Sequence, residues 1–108
     1  LQALALANDA VFLDLARRFG ERLIAEAPAA EARLERGFLL ALGRRPSARE
    51  RAAAERYLAA LEARFRADPA AAEAFAGAGA DAVERARWTA LARWLMNATP
   101  TASSLQTA

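Results

Sequence analysis

Two adjacent arginines are the residues of this chain whose type and position best suit ligand chemistry. Arg44 and Arg45 follow Gly43 in the segment LGRRPSARE, residues 42–50. Guanidinium groups beside the free amides at the start of a helix favour bound anions, so this pair is the candidate contact for an anion or a partner. The alternative is a solvated turn that only redirects the chain.

A pair of carboxylates is the second candidate. Glu31 and Glu35 are four residues apart on one predicted helix face, a spacing that acid–base chemistry can use. Arg33 and Arg36 are interspersed with them, which favours a solvated charge ladder instead. The chain contains no cysteine, histidine or lysine, so most nucleophiles, bases and metal ligands are missing. We expect no catalytic residue, no metal site and no cofactor site in this chain, and no enzyme activity of its own.

Two tryptophans lie on the last predicted helix. Trp88 and Trp94 are six positions apart, which places them on different sides of that helix. We expect Trp88 in the core. Trp94 is a candidate partner contact, because an exposed tryptophan marks an interaction surface, and core packing is its alternative use.

The elements that must position these residues are helices. Apolar residues recur at three- and four-residue steps, and no strand pattern competes. The sequence predicts an all-α fold, a compact bundle of about five short to medium helices joined by capped turns. The expected helices are a short one over 2–7 ended by Asn8 and Asp9, one from Ala10 to before Pro28, then 30–42, 48–67, a short one around Phe75, and one ending near Met96. The apolar stripes of the first two long helices are Val11, Phe12, Leu15, Ala16, Phe19, Leu23 and Ala27, and Leu34, Phe38, Leu39, Ala41 and Leu42.

Local signals mark where these helices begin and end. A left-handed glycine cap, two capping boxes and an aspartate before proline are typical of helix ends. The expected signals are Gly43, Ser47 with Glu50, Asp68 with Pro69, and Asp81 with Glu84. Gly20 falls inside a predicted helix, where glycine costs up to about 1 kcal/mol against alanine, and close approach of a neighbouring backbone would explain it.

Composition limits the partners. All 15 basic residues are arginine and are set against 13 acidic residues, which leaves a formal net charge of +2. Such a weak field disfavours nucleic acid as a partner unless the arginines cluster on one face. Alanine fills 33 positions, so large core side chains are few and the helices should pack closely.

The length of 108 residues suits one domain. We expect a helical domain over residues 1–97 and a flexible tail or linker over 98–108, where the sequence is small and polar. The start at Leu1, without a basic leader, predicts the cut edge of a longer protein. No apolar run approaches the roughly 20 residues that cross a bilayer, so no membrane span is expected.

Two segments carry a resemblance to a known family. The opening LQALALAND and the later RGFLLALGRRPSARE resemble the planctomycete-type C-terminal domain of unknown function, the "PSD-one" domain, found in large proteins with cytochrome c-like domains. The matching residues are Leu1, Gln2, Ala3, Leu4, Leu6, Asn8, Asp9, Arg36, Leu42, Gly43, Arg44, Pro46, Ser47 and Glu50. Ala10 departs from the proline often found there, and the ending after Asn97 departs from the family's acidic-aromatic ending.

The resemblance implies an exported, periplasmic or extracellular multidomain protein, with any haem c held in other domains and no catalytic residue assigned to this one. The leading hypothesis is a non-catalytic scaffolding or protein-interaction module that contacts other domains of its parent or a protein partner. One alternative is an arginine-mediated binder of acidic polysaccharide or nucleic acid. Another is a domain that completes the active site of a larger enzyme, with Arg44 or Arg45 reaching a substrate carboxylate or sulfate.

Overall fold

Five helices make up the part of the chain that the structure describes. The computed structural model describes the backbone of residues 2–98 and the side chains of residues 9–98. The helices are α1 (Gln2–Glu26), α2 (Ala30–Leu42), α3 (Ala48–Ala67), α4 (Pro69–Ala76) and α5 (Ala82–Asn97). No strand occurs within these residues, so the predicted all-α bundle is confirmed. The expected tail lies outside the described residues, apart from Ala98.

The predicted break at Asn8 and Asp9 is wrong. Helix α1 runs without interruption from Gln2 to Glu26. Asparagine and aspartate cap a helix only where the backbone leaves the helical conformation, and no glycine or proline forces it to do so here. Inside a helix, asparagine and aspartate each cost only about 0.7 kcal/mol of helix stability relative to alanine. The neighbouring alanines and leucines have high helix propensity, so the helix tolerates this cost.

Helix α5 lies at the centre of the bundle and packs against the other four helices. Trp88 is completely buried in one core cluster with Leu23, Leu58 and Leu91, as the sequence predicted. A second cluster surrounds the short helix α4, and its buried members are Leu61, Phe65, Ala72, Ala76, Ala86 and Ala90. The many alanines therefore serve close packing around α4.

Gly20 lies where α1 and α5 approach each other closely. A Cβ atom built on Gly20 would lie 2.9 Å from the backbone nitrogen of Thr89 and 2.9 Å from the carbonyl carbon of Trp88. Real Cβ atoms do not approach backbone this closely, so only glycine lets α1 and α5 cross at this separation. The backbone contact inferred from the sequence is confirmed.

Three of the four predicted cap signals are confirmed. Gly43 has a φ of 73° and donates its N–H to the carbonyl of Leu39. Ser47 and Glu50 form a reciprocal capping box at the start of α3. Asp68 accepts from the Ala71 amide, with proline in the first turn of α4.

The fourth signal gives the right helix start, since α5 begins directly after Asp81, but its capping box is wrong, because Asp81 has a φ of 55° and makes no side-chain cap bond. Glu84, its expected partner, bonds instead to Arg33 of α2 and to Arg87. No helix within the described residues is long and apolar enough to cross a membrane.

Candidate functional site

Arg44 is held by a carboxylate of the next helix. Its Nη1 and Nη2 donate to the two carboxylate oxygens of Glu50, at 2.7 Å and 2.8 Å, and Oε1 also accepts from the Ser47 amide at 2.9 Å. The bonds from Arg44 and then from Ser47 lower the pKa of Glu50 from its ordinary 4.5 to about 2. The guanidinium thus closes the turn between α2 and α3, and its charge is already matched.

Arg45 lies differently. Its side chain is 80% exposed, and Nε is 3.7 Å from a carboxylate oxygen of Glu35, which is a loose ion pair. Glu31 in turn lies 3.5 Å from Nη1 of Arg51 on α3. Each carboxylate of the Glu31 and Glu35 pair therefore faces an arginine. The partners are Arg45 and Arg51, and not the interspersed Arg33 and Arg36 of the predicted charge ladder, which pair with Glu84 and Glu26.

Trp94 is half-buried against the core. Its ring centre is 6.3 Å from that of Phe38 in an edge-on arrangement, and 6.1 Å from that of Tyr57 in a tilted one. Such aromatic contacts contribute about 0.5–1.5 kcal/mol beyond the buried area. Much of the ring is therefore occupied by the fold itself, and only the remaining part is available to a partner.

Arg33 was predicted to lie on the solvated charge ladder of α2, but it is buried. Its residue surface is only 8% exposed, its Nε donates to the carbonyl of Ala27 at 2.6 Å, and its Nη1 donates to Glu84 at 2.6 Å. The guanidinium also lies 5.4 Å from the centre of the Trp88 ring. Burial alone would raise the pKa of Glu84, but hydrogen bonds from Arg33 and Arg87 leave it below its ordinary value.

Two further arginines bind the last carbonyls of α4. Arg17 of α1 donates from Nε to the carbonyl of Phe75 at 2.7 Å, and Arg85 of α5 donates from Nη1 to that of Ala76 at 3.0 Å. Cations at this position satisfy free carbonyls and complement the negative end of the helix dipole. The arginines of this chain thus serve tertiary structure more than the sequence indicated.

An apolar groove is the surface feature that sequence reasoning missed. Leu15 and Leu40 are 48% and 38% exposed, although periodicity predicted Leu15 on the buried stripe. Val11, one turn before Leu15, is 57% exposed. The groove lies between α1, α2 and the end of α5, and its lining residues are Leu15, Phe19, Arg22, Leu40, Ala41 and Met96. We call it the α1–α2 groove. The sequence also predicts an exposed apolar patch lined by residues 1–7 and Trp94, and the side chains of residues 1–7 lie outside the described ones.

The predicted stripe of α1 fails at Val11 and Leu15 because no helix covers that side of α1 at these positions within the described residues. Periodicity shows which face of a helix is apolar. It does not show whether another helix of the same chain packs against that face. Within the described side chains, no group of three or more carboxylates is placed to hold a metal ion. The groove, with Leu15 and Leu40 exposed on two helices, is the candidate functional site.

Comparison with known proteins gives one finding. The family described as PSD1, protein of unknown function (DUF1553), matches residues 1–58. The matched part comprises α1, α2 and the first half of α3, and therefore includes both motifs of the resemblance and most of the α1–α2 groove. Searches of curated proteins and of solved structures gave no match.

Proposed function

Because the chain belongs to the PSD1 family of proteins of unknown function (DUF1553), we propose its role from its surface: it is a non-catalytic helical module that docks an apolar segment of another domain or protein in the α1–α2 groove. The observation that supports this most directly is the exposure of Leu15 and Leu40 side by side on two helices. Exposing a contiguous apolar patch to water is unfavourable. A patch that extends over two adjacent helices is therefore typical of an interaction surface.

The shape of the groove indicates the kind of partner. Two helices form its walls, with Leu15 and Phe19 one turn apart on α1 and Leu40 and Ala41 on α2. An amphipathic helix can lay its apolar face into such a groove, with anchors at positions i, i+3 and i+4. Covering apolar surface contributes about 25 cal/mol for each Å² removed from water.

The rim of the groove adds a polar boundary. Arg22, which lines one edge, is paired with Glu26, and Glu26 also accepts from Arg36 of α2 at 2.8 Å. Apolar centres with charged rims are typical of protein interfaces, since the rim excludes water without contributing much energy. The partner we propose is therefore apolar at its centre and needs no strong net charge.

The resemblance of the two sequence motifs supports a finer proposal. The module is part of an exported, multidomain protein with cytochrome c-like domains, and the groove contacts one of those domains. Any haem c belongs to the other domains, and the compartment is the periplasm or the cell exterior. This chain contributes no catalytic group to the parent's activity.

Site-specific photo-crosslinking tests the docking proposal. A benzophenone amino acid replaces Leu15 in the full-length protein, expressed in its own host, and a matched variant carries it at Ala32, which is exposed on α2 outside the groove. We expect the Leu15 variant to crosslink to a single defined segment that mass spectrometry identifies. Equal crosslinking from Ala32, or crosslinks from Leu15 scattered over many proteins, would refute a dedicated docking groove.

A second candidate function is favoured by the outer face of α3. Arg49, Arg56 and Arg64 recur at seven- and eight-residue intervals, about two helical turns each, so they share one exposed face. The positions between them on this face are the alanines 52, 53, 59, 60 and 63. None of these three arginines forms an ion pair with a carboxylate among the described side chains. We propose this face as a contact for an acidic polysaccharide.

Heparin titration at two salt concentrations tests this second candidate. Binding should weaken steeply with salt and should be lost in the Arg49→Ala/Arg56→Ala variant, because arginine–anion contacts release counterions. The matched control is Arg18→Ala/Arg66→Ala, which removes the same charge from arginines paired with Asp14 and Glu62. Binding that ignores salt, or that falls equally in both variants, would exclude a specific role for the α3 face.

A further inference from the structure

A second concave site lies on another side of the molecule, between α3, α4 and α5. Its volume is about 420 Å³, within the range of roughly 300–1,000 Å³ that small-molecule sites occupy. The lining residues are Tyr57, Leu61, Arg64, Phe65, Ala71, Ala74, Phe75, Ala90 and Arg93. We call it the aromatic cleft. It shares no lining residue with the α1–α2 groove.

Aromatic side chains form much of the apolar wall. The rings of Phe65 and Phe75 are stacked, with centres 5.9 Å apart and planes at 21°. Phe65 is buried while Tyr57 and Phe75 are only half-buried, so the last two present ring surface to the cleft. Aromatic ligands gain affinity from each favourable ring contact beyond the area they bury.

The charge of the cleft has a single sign. Arg64 and Arg93 line it, and no carboxylate does. Neither arginine forms an ion pair with a carboxylate of the described side chains. The Arg93 guanidinium lies 5.0 Å from the centre of the Phe75 ring, a cation–π contact that orients its fork beside the apolar wall.

The neighbouring cleft shows that this charge is not a general property of the surface. It lies between the same three helices and is lined by four carboxylates and two arginines, which are Glu62, Glu73, Asp81, Glu84, Arg66 and Arg87. The neighbouring cleft is therefore lined by both arginines and carboxylates, whereas the aromatic cleft is lined by arginines alone. An anionic ligand complements only the aromatic cleft.

We propose that the aromatic cleft binds a small aromatic monocarboxylate, with its ring against Tyr57 and Phe75 and its carboxylate held by Arg64 and Arg93. Guanidinium groups match a carboxylate in bidentate geometry, which makes them more selective for it than a point charge would be. The volume of about 420 Å³ is large enough for one or two fused rings. This site is independent of the docking role proposed for the groove.

Isothermal titration with 2-naphthoate and with its neutral counterpart 2-naphthamide tests this site. We expect saturable binding of the acid and roughly tenfold weaker binding of the amide, a difference of about 1.4 kcal/mol. The Arg64→Met/Arg93→Met variant should lose the same factor for the acid and change little for the amide. Phe75→Leu should weaken both ligands, since both use the ring contact.

Arg18→Met/Arg66→Met is the matched control. It also removes two exposed arginines, and neither of them lines the aromatic cleft. Circular dichroism establishes that each variant keeps its helices. The proposal is wrong if acid and amide bind equally, if Arg64→Met/Arg93→Met binds the acid as the parent does, or if no saturable binding occurs at about 10 mM ligand. None of these results bears on the groove, which is tested by crosslinking.

Discussion

Arg33 and Glu84 connect α2 to α5 through a hydrogen bond of 2.6 Å between Nη1 and Oε2. The same guanidinium donates from Nε to the carbonyl of Ala27, at the end of α1. One side chain therefore joins α2 to the end of α1 and to α5. Arg33 is buried, so its removal would take this donor from the Ala27 carbonyl and leave the partly exposed Glu84 carboxylate paired with Arg87 alone.

Replacing Arg33 should test this connection. We expect Arg33→Ala to lower the free energy of unfolding by about 1.5–3 kcal/mol, the range for hydrogen bonds to charged groups. The control is Arg36→Ala on the same helix, whose exposed pair with Glu26 should contribute little to stability because solvent screens it. Urea unfolding followed by far-ultraviolet circular dichroism measures both. Equal losses in the two variants would show that Arg33 has no special role.

Gly20 should be irreplaceable even though it lies within a helix. Glycine to alanine normally stabilises a helix interior by about 1 kcal/mol, but here the new Cβ would meet the backbone of Trp88 and Thr89. Backbone cannot move aside without shifting α5, so we expect a net loss of about 1–3 kcal/mol, the usual cost of overpacking.

Gly37→Ala is the matched comparison for Gly20→Ala. Its new Cβ would meet Cδ1 of Leu95 at 2.9 Å and Cδ1 of Leu23 at 3.3 Å, which are the ends of flexible side chains. These side chains can change rotamer, so the loss should be smaller than at Gly20. Thermal unfolding of the two variants decides the order, and a more stable Gly20→Ala protein would contradict the close helix crossing.

Features that depend on a few neighbouring residues were predictable from the sequence. The caps at Gly43, at Ser47 with Glu50, and at Asp68 follow from the local chemistry of side chains and backbone, and the structure contains each of them. Gly20 was also informative, because a glycine that weakens its own helix indicates a contact elsewhere.

Features that depend on distant helices were not predictable. Glu84 has the spacing of a capping residue but bonds to Arg33, which is 51 positions away. Leu15 has the spacing of a core residue but remains half-exposed, because its periodicity fixes the face of the helix and not what covers that face. The groove and the aromatic cleft are formed by several helices, so neither could be located before the helices were placed.

The capping box at Glu50 should make stability depend on acid pH. The pKa of Glu50 is lowered from 4.5 to about 2, so the folded state holds the carboxylate more firmly in its charged form than the unfolded chain does. This contribution is complete above pH 4.5 and is lost as the pH falls through about 2. Glu50→Gln should therefore be less stable at neutral pH and should lose less stability between these pH values.

Urea midpoints over a pH series measure this effect. Glu26 and Glu84 also have lowered pKa values, so the parent and the variant will both weaken in acid, and only the difference between their curves reports on Glu50. Ser47→Ala provides a check from the other side of the box, with an expected cost of roughly 0.5–2 kcal/mol at neutral pH. Parallel pH curves for the parent and Glu50→Gln would exclude a stabilising role for its charge.

Helix α4 should depend on Arg17. A helix of eight residues is too short to be stable alone, so its order must come from its contacts with the rest of the bundle. Arg17 supplies two of these, to the carbonyls of Phe75 and Ala74. We expect Arg17→Ala to speed amide hydrogen exchange in α4 while the amides of α2 and of the first half of α3 keep their protection.

The control for α4 is Arg18→Ala, which removes the neighbouring arginine and its exposed pair with Asp14 without touching α4. Arg17→Lys separates charge from geometry, because an ammonium keeps the favourable interaction with the helix dipole but cannot offer two carbonyls the same planar fork. An exchange rate in Arg17→Lys between those of the parent and Arg17→Ala would show that both the charge and the hydrogen-bond geometry of Arg17 stabilise α4. Unchanged exchange in Arg17→Ala would mean that Arg85 and the buried alanines hold α4 in place without Arg17. The hydrogen bonds from Arg17 to α4 would then be a result of the packing of α4 and not its cause.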